Sequence, residues 1–187
     1  MMREVLLFAV ILTLSVFGMS CTGQPAGPWK TKIVDAETGK PLEGVVVLAY
    51  WIQYQASLGG WAGGKYYDSE EVVTGPDGRF VIEARSTFTL LPWKKIGGEF
   101  VIFKPGYGRW RIRDWEKMPP EWKELSAAEI LAKDGIVIEL VPLKTRGERL
   151  RFYDSRSWAG MSLVPPDQTK RLDEAVNKER AYLGFRN

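Results

Sequence analysis

The sequence contains no histidine among its 187 residues. Histidine is the commonest general base, the partner of serine and cysteine nucleophiles, and a frequent ligand of zinc and non-haem iron. Its absence removes most hydrolytic triads and most zinc and iron sites. The sequence therefore predicts a protein that is not an enzyme, with no cofactor and no metal. Carboxylate pairs such as Glu70–Glu71, or Glu121 with Glu124, are interpreted as solvated side chains.

An excess of charge of either sign is also missing. Lysine and arginine number 26 and aspartate and glutamate number 23, so the net charge is +3. Nucleic-acid-binding domains carry a strong positive field along one face. No nucleic-acid partner is predicted from so small a charge.

Cysteine occurs only once, at Cys21, directly after an apolar N-terminal stretch. Arg3 supplies a positive charge, and the apolar run Val5–Phe17 that follows is short for a bilayer span. Residues 1–20 are therefore predicted to be a signal peptide. Residues 21–28, with the sequence CTGQPAGP, are predicted to be a flexible tether because glycine and proline oppose a helix.

The junction VFGMSC resembles the cleavage site of a bacterial lipoprotein signal, with Ser20 directly before the cysteine. Gly18 departs from the pattern, in which leucine is typical at that place. Lipidation at Cys21 is the favoured interpretation. Plain secretion after a small-x-small site, and a buried cysteine of the domain, are the alternatives. A lipid anchor implies a cell-envelope location with the membrane as a partner; the outer membrane facing the periplasm is the favoured interpretation and the inner membrane is the alternative.

The mature chain predicts a mainly β fold, a sandwich of about seven short strands separated by turn residues. Val45–Ile52 is apolar at odd and even positions alike, so both faces of this strand should be covered. Phe80, Ile82 and Ala84 are predicted to share one buried face. The predicted strands are Lys30–Asp35, Val45–Ile52, Glu71–Thr74, Arg79–Ala84, Glu99–Phe103, Arg109–Arg113 and Ile136–Val141. Residues 55–67 are glycine-rich and predict a loop or a hairpin tip.

Two helices are predicted. Residues 125–135 form a short inserted helix, with Ser126 and Glu129 as a capping box and Gly135 as its end. Gln168–Leu183 is amphipathic and lies in a C-terminal extension, 144–187. Its apolar stripe consists of Leu172, Ala175, Val176, Tyr182 and Leu183.

Three stretches carry a resemblance to a known family: IVDAETGKPLEGVVVLAYW, VVTGPDGRFVIEA and FVIFKPGYGRWRI. They resemble a carboxypeptidase regulatory-like domain, a transthyretin-like sandwich common in exported bacterial proteins. The matching residues are Asp35, Thr38, Gly39, Pro41, Leu42, Gly44, Thr74, Gly78, Phe80, Gly106 and Tyr107. The resemblance implies an Ig-like or transthyretin-like β-sandwich over 29–143, used as a scaffold or accessory module.

Two features limit what this resemblance implies about chemistry. Gly75 stands where the family usually has aspartate, which weakens the case for a metal at that turn. Hydroxyisourate hydrolases and intradiol dioxygenases have similar folds, but both depend on histidines that this chain lacks.

The chain has eight tryptophans. Trp51 and Trp110 are predicted to lie in the core. Trp61, Trp93 and Trp115, together with Trp122 and Trp158, are placed in loops or at helix edges. An exposed indole can stack on a sugar ring, so Trp61, Trp93 and Trp115 are the candidate ligand-binding residues. The favoured interpretation, however, is structural: these rings cover the ends of the sandwich and hold the long insertions in place.

The alternating segment Arg109–Arg113 predicts Trp110 and Ile112 inward and three arginines outward. With Arg146, Arg149 and Arg151 the outward arginines could form a basic patch at a membrane. A solvated strand face with local ion pairs is the favoured interpretation.

The sequence as a whole predicts a non-enzymatic exported lipoprotein. Its role would be binding or structural at the bacterial cell envelope, with an envelope protein or a glycan as partner. The alternative function is a carbohydrate-binding module that uses the loop tryptophans.

Overall fold

A computed structural model describes residues 26–155 and 161–185. The predicted signal peptide, Cys21 and most of the predicted tether lie outside the described residues, and so does Trp158. In the described part of the chain, no helix is long and apolar enough to cross a membrane.

The described residues form a mainly β fold in which two sheets enclose a core, as predicted. One sheet has four strands in the order β4-β1-β7-β6, and the other has three in the order β3-β2-β5. The strands β1 and β7 run parallel, and the other neighbours are antiparallel. The strands are β1 (Trp29–Asp35), β2 (Val46–Ser57), β3 (Gly60–Val73), β4 (Arg79–Ile82), β5 (Lys94–Phe103), β6 (Tyr107–Ile112) and β7 (Val137–Pro142).

The main core lies between the two sheets. Trp29 of β1 stacks on Trp51 of β2 with 5.3 Å between ring centroids, and Phe100 packs edge-on against Trp29 at 4.4 Å. Phe80 and Ile82 of β4 are buried in the same core, as predicted. The prediction for Ala84 was wrong: β4 ends at Ile82, and Ala84 is exposed.

Both faces of β2 are covered, as its continuous apolar run predicts. Val47, Ala49 and Trp51 point into the main core. Leu48 and Tyr50 point the other way, into a second core. Alternate residues of a strand face opposite sides, so this sequence needs a cover on each side.

The second core is closed by the C-terminal extension. The helix α3 (Lys170–Leu183) packs on the outer face of the three-stranded sheet through Leu172 and Ala175. Val164, just before this helix, is buried in the same cluster. The position of Tyr182 was predicted incorrectly: it is 52% exposed, and the helix buries Glu179 in its place.

The chain between β6 and β7 forms an insertion (114–136) at one end of the sandwich. It contains two 3₁₀ turns, Trp115–Lys117 and Pro120–Glu124, and the helix α1 (Ala127–Leu131). The predicted capping box is confirmed, because Ser126 Oγ accepts from Glu129 N and Ser126 N donates to the Glu129 carboxylate. Trp29 Nε1 donates to Ala128 O at 2.9 Å, which fixes the insertion to β1.

The turn after β1 lies at the opposite end of the sandwich. Asp35 Oδ1 accepts from Glu37 N, Thr38 N and Thr38 Oγ1 at 2.8–3.1 Å. Tyr107 donates its hydroxyl to Asp35 Oδ2 at 3.1 Å. The turn residues that carry the family resemblance therefore have a structural role here.

Candidate functional site

The strands β2 and β3 form an arm that extends beyond the sandwich. Their two-residue turn, Leu58–Gly59, lies between the paired residues Ser57 and Gly60. From Trp51, the last residue of β2 in the main core, to Ser57 is six residues, or about 20 Å of strand. The glycine-rich segment predicted as a loop or hairpin tip is therefore the end of a long hairpin, and β3 is far longer than the predicted Glu71–Thr74.

The glycines of the arm allow the two strands to stay paired through irregularities. The β2–β3 register shifts between Trp51 and Ile52 and again between Gln53 and Gln55. Gly63, opposite the second shift, has φ +68°, a value that suits glycine. These shifts change which residues lie opposite each other, and they bring Trp61 opposite Ala56.

Two of the three candidate tryptophans meet at this arm. Trp61 pairs with Ala56 across the β2–β3 ladder, and Ala56 N donates to Trp93 O on the other side at 2.8 Å. Trp61, in β3, and Trp93, directly before β5, therefore lie on either side of Ala56. Their side chains are 46% and 53% exposed. These rings do not close the end of the sandwich but remain in contact with solvent.

Trp61 lines a cleft of about 800 Å³ between the arm, the edge of β5 and α1. We call it the arm cleft. Its walls combine aromatic rings with polar and charged side chains, a mixture that suits a polar ligand with apolar faces. The lining residues used below are Tyr54, Trp61, Lys95, Glu99, Glu129 and Lys133.

Charges of both signs line the arm cleft. Lys95 Nζ lies 5.2 Å from the centre of the Trp61 ring, within cation–π range. Hydrogen bonds from the Ser126 side chain and backbone lower the pKa of Glu129 against a smaller opposing effect of desolvation. Burial and the charge of Glu99 raise the pKa of Tyr54. The cleft therefore offers a carboxylate acceptor at Glu129 and a phenol at Tyr54 that keeps its proton, with lysine side chains beside them.

An unsatisfied donor lies under the floor of the arm cleft. Trp51 Nε1 is buried and has no hydrogen-bond partner among the described residues. It lies 3.5 Å from the position that a Cβ on Gly98 would take, and Gly98 lines the cleft. A buried N–H without an acceptor lowers the stability of the fold. Within the described part of the chain, Trp51 Nε1 is therefore an unpaired hydrogen-bond donor beneath the cleft.

Trp115 belongs to a different cleft, of about 920 Å³, on the other side of the insertion. We call it the arginine cleft, since Arg111 and Arg113 line it. Leu125 lines both clefts, so the insertion separates them. Trp115 is only half-buried, and it packs against the main core. The three candidate tryptophans therefore do not form one platform.

The arginine cleft is organised around one buried carboxylate. Glu139 accepts from Arg113 Nε at 2.6 Å and from Arg111 Nε at 3.0 Å. The hydrogen bond from Arg113 is the largest of the effects that lower the pKa of Glu139, against the effect of burial. The inward positions of Trp110 and Ile112 and the local ion pairs agree with the favoured interpretation of this strand.

The alternative basic patch does not form, because Arg149 lies elsewhere. Arg149 is partly buried, with 14% of its side chain exposed, and pairs with Glu179 of α3. Its guanidinium carbon lies 3.7 Å from the position that a Cβ on Gly106 would take, in the turn between β5 and β6, at the opposite end of the sandwich from the insertion. Its charge is therefore not available to a surface shared with Arg111.

In residues 26–155 and 161–185, no group of three or more histidine, cysteine, aspartate or glutamate side chains is placed to hold a metal ion. Comparison of the chain with family models, curated proteins and solved structures finds no match.

Proposed function

We propose that this protein is an exported, lipid-anchored binding module of the bacterial cell envelope, without a catalytic role. The observation that supports it is the exposure of Trp61 and Trp93 on an arm fixed by strand pairing. Leaving two indoles in water forgoes the stabilisation of burying them, so a surface that presents them is suited to binding. The placement of the only cysteine after the apolar N-terminal run supports the anchor.

The anchor is tested by labelling cells with radioactive fatty acid. The label should enter the wild type and be absent from Cys21→Ala, because Cys21 is the only thiol of the chain. Acyl chains contribute about 0.8 kcal/mol per buried CH₂, so Cys21→Ala should also leave the membrane fraction. Ser57→Ala is the matched control and should label like the wild type. Equal label in Cys21→Ala would exclude the anchor.

A second candidate function, carbohydrate binding, is favoured by the lining of the arm cleft. Tyr54 and Trp61 provide flat apolar faces beside Glu99 and Glu129, which can accept bonds from sugar hydroxyls. A sugar is bound by aromatic faces and hydrogen-bond acceptors together, since its rings carry apolar CH faces and polar edges.

Carbohydrate binding is tested by calorimetry with soluble oligosaccharides, N-acetylglucosamine oligomers among them. Trp61→Ala should weaken binding about tenfold, or roughly 1.4 kcal/mol. It should change the free energy of unfolding by less than about 0.5 kcal/mol, because the ring is exposed. Trp93→Ala is the control: this indole is equally exposed but does not line the arm cleft. A destabilised Trp61→Ala, with no oligosaccharide bound by the wild type, would make Trp61 a structural residue.

A further inference from the structure

A second surface at the arm end of the molecule is apolar and outside the arm cleft. It consists of five exposed side chains from two segments, and we call it the apolar tip: Leu58, Phe88, Leu90, Leu91 and Trp93. Leu58 is fully exposed and Leu90 is 82% exposed. Side chains of this size are not left in water together without a use.

Hydrogen bonds hold the two segments of the apolar tip side by side. Ala56 N donates to Trp93 O, which joins the loop before β5 to the hairpin. Within that loop, Thr89 Oγ1 donates to Lys94 O at 2.9 Å, and Lys94 N donates to Leu91 O at 3.0 Å. The loop is therefore built in a fixed form that presents its apolar residues outward.

The surroundings of the apolar tip are basic. Its two segments, 53–67 and 84–98, contain no aspartate or glutamate. They supply Lys65, Lys94 and Lys95, and also Arg85, which is paired with carboxylates of β3. The two segments themselves are therefore basic, and the nearest carboxylates along the chain, Asp68, Glu83 and Glu99, lie just outside them. Leucine and aromatic residues rimmed by lysine match the boundary of an anionic bilayer, where rings enter the headgroup layer and ammonium groups meet phosphates.

The described chain begins at the same end of the molecule. Ala26 exchanges two backbone hydrogen bonds of 3.0 Å with Arg85, at the start of the apolar loop. Ala26 also lines the arm cleft together with Tyr54. From Tyr54 to Leu58 is four strand residues, or about 13 Å.

The tether length decides which end of the sandwich can meet a membrane. Cys21 precedes Ala26 by five residues, which span at most about 18 Å. That reach exceeds the about 13 Å of strand from Tyr54, which lines the same cleft as Ala26, to Leu58. The other end of β2, at Val46, is eight residues or about 27 Å from Tyr54, which is beyond it.

We propose that the apolar tip inserts into the headgroup boundary of the bilayer that carries the anchor, so that the sandwich stands arm-down on an anionic lipid surface. This inference rests on the lipid anchor proposed above. Insertion gives the protein a second membrane contact besides the acyl chains. It also holds the arm cleft next to the bilayer. The turns after β1 and β3, at the other end of the sandwich, then point away from the bilayer.

The test uses the mature full-length protein in vesicles of phosphatidylcholine and phosphatidylglycerol. Leu90→Cys and, in a second variant, Leu58→Cys each receive one thiol-reactive fluorophore. Asp77→Cys, in the turn after β3 at the opposite end, is the matched control. Quenching is measured with nitroxide-bearing lipids and, separately, with iodide. Labels at 90 and 58 should be quenched several-fold more by the lipids than the label at 77, and iodide should show the reverse order.

The number of reactive thiols separates failure of the anchor from failure of the docking. A lipidated Cys21 leaves one reactive thiol in each variant, and an unmodified Cys21 leaves two. If each variant has one reactive thiol but iodide quenches the labels at 90 and 58, Cys21 is lipidated and the apolar tip is not in the bilayer. That result would support the anchor and overturn the proposed insertion. Protection from iodide without lipid quenching would show that protein covers the tip, and cross-linking through position 58 would identify a second copy. Either result would overturn the proposal.

Discussion

Asp35 shows how a single side chain fixes a turn and makes the fold sensitive to acid. Burial alone would raise the pKa of this carboxyl. The hydrogen bonds from Thr38, Glu37 and Tyr107 outweigh burial and lower it below the ordinary value of 3.8. The local bonds follow from the DAETG sequence, since aspartate commonly accepts from the next backbone N–H groups. The bond from Tyr107 joins positions 72 residues apart, and no local pattern predicts it.

The lowered pKa sets the sign of a pH effect. Because the folded pKa lies below the unfolded one, Asp35 contributes stability above the unfolded pKa, and that stability is lost as the pH falls through the folded pKa. Asp35→Asn should lower the free energy of unfolding by about 1–3 kcal/mol at pH 6. The difference from wild type should shrink below pH 4. Urea denaturation at several pH values measures both effects.

Glu83→Gln is the control for this experiment, because Glu83 is an exposed carboxylate at the end of β4. It should match the wild type at every pH. A stability gap between Asp35→Asn and wild type that stays constant from pH 6 to pH 3 would contradict the role given to the carboxylate.

At the scale of elements, the arm was the least predictable strand pair. Gly59, Gly60, Gly63 and Gly64 indicate a loop by composition, yet pairing continues to the two-residue turn. Glycine lowers strand propensity, but β2, itself paired with β5 on its other edge, supplies β3 with partners that local propensity does not include. By contrast, the apolar run of β2 predicted its burial on both faces, because apolar residues at successive positions of one strand are enough to indicate it.

The helix α2 (Arg146–Ser155) was missed although the sequence carries its start signal. Thr145 and Glu148 form a capping box: Glu148 N donates to Thr145 Oγ1 at 3.1 Å, and Thr145 N donates to the Glu148 carboxylate at 3.0 Å. None of its described residues is buried, so the apolar stripe by which helices are recognised is absent. The capping box was the sequence pattern from which the start of α2 could have been predicted.

An ion pair joins the two C-terminal helices to the sandwich. Glu179 of α3 accepts from Arg149 of α2 at two positions and from Gly106 N, in the turn between β5 and β6, at 2.9 Å. The Arg149 side chain also lies over the Tyr182 ring. The charged Glu179 therefore lies on the buried face of α3. Tyr182, which was predicted to lie there, is exposed instead.

Removing one partner of this pair should be costly. Glu179→Ala leaves the largely covered Arg149 guanidinium, 14% exposed, without its carboxylate and should lower the free energy of unfolding by about 3–5 kcal/mol. The double variant Arg149→Met with Glu179→Leu should lose much less, since no charge is left buried. Glu174→Gln, on the exposed side of α3, is the control. Denaturation curves measure all of these variants, and a double variant as unstable as the sum of its single variants would contradict the pairing.

At the scale of the whole molecule, three features meet at one end: the arm cleft, the apolar tip and the point where the described chain begins. The sequence predicted the sandwich, the inserted helix and a set of candidate tryptophans. It did not predict which indoles stay in water, because exposure of Trp61 and Trp93 depends on the pairing of Ala56 with both neighbours. Nor did it predict that the insertion would separate Trp115 from them, since that depends on non-local packing.

The proposed lipid anchor is the central claim, because it would set the location of the protein and orient its arm. The most direct measurement is the intact mass of the protein purified from its own membranes. The account predicts a chain that begins at Cys21 and carries the added mass of acyl chains on that residue. A chain that retains residues 1–20, or one that begins at or after Cys21 without added mass, would contradict it.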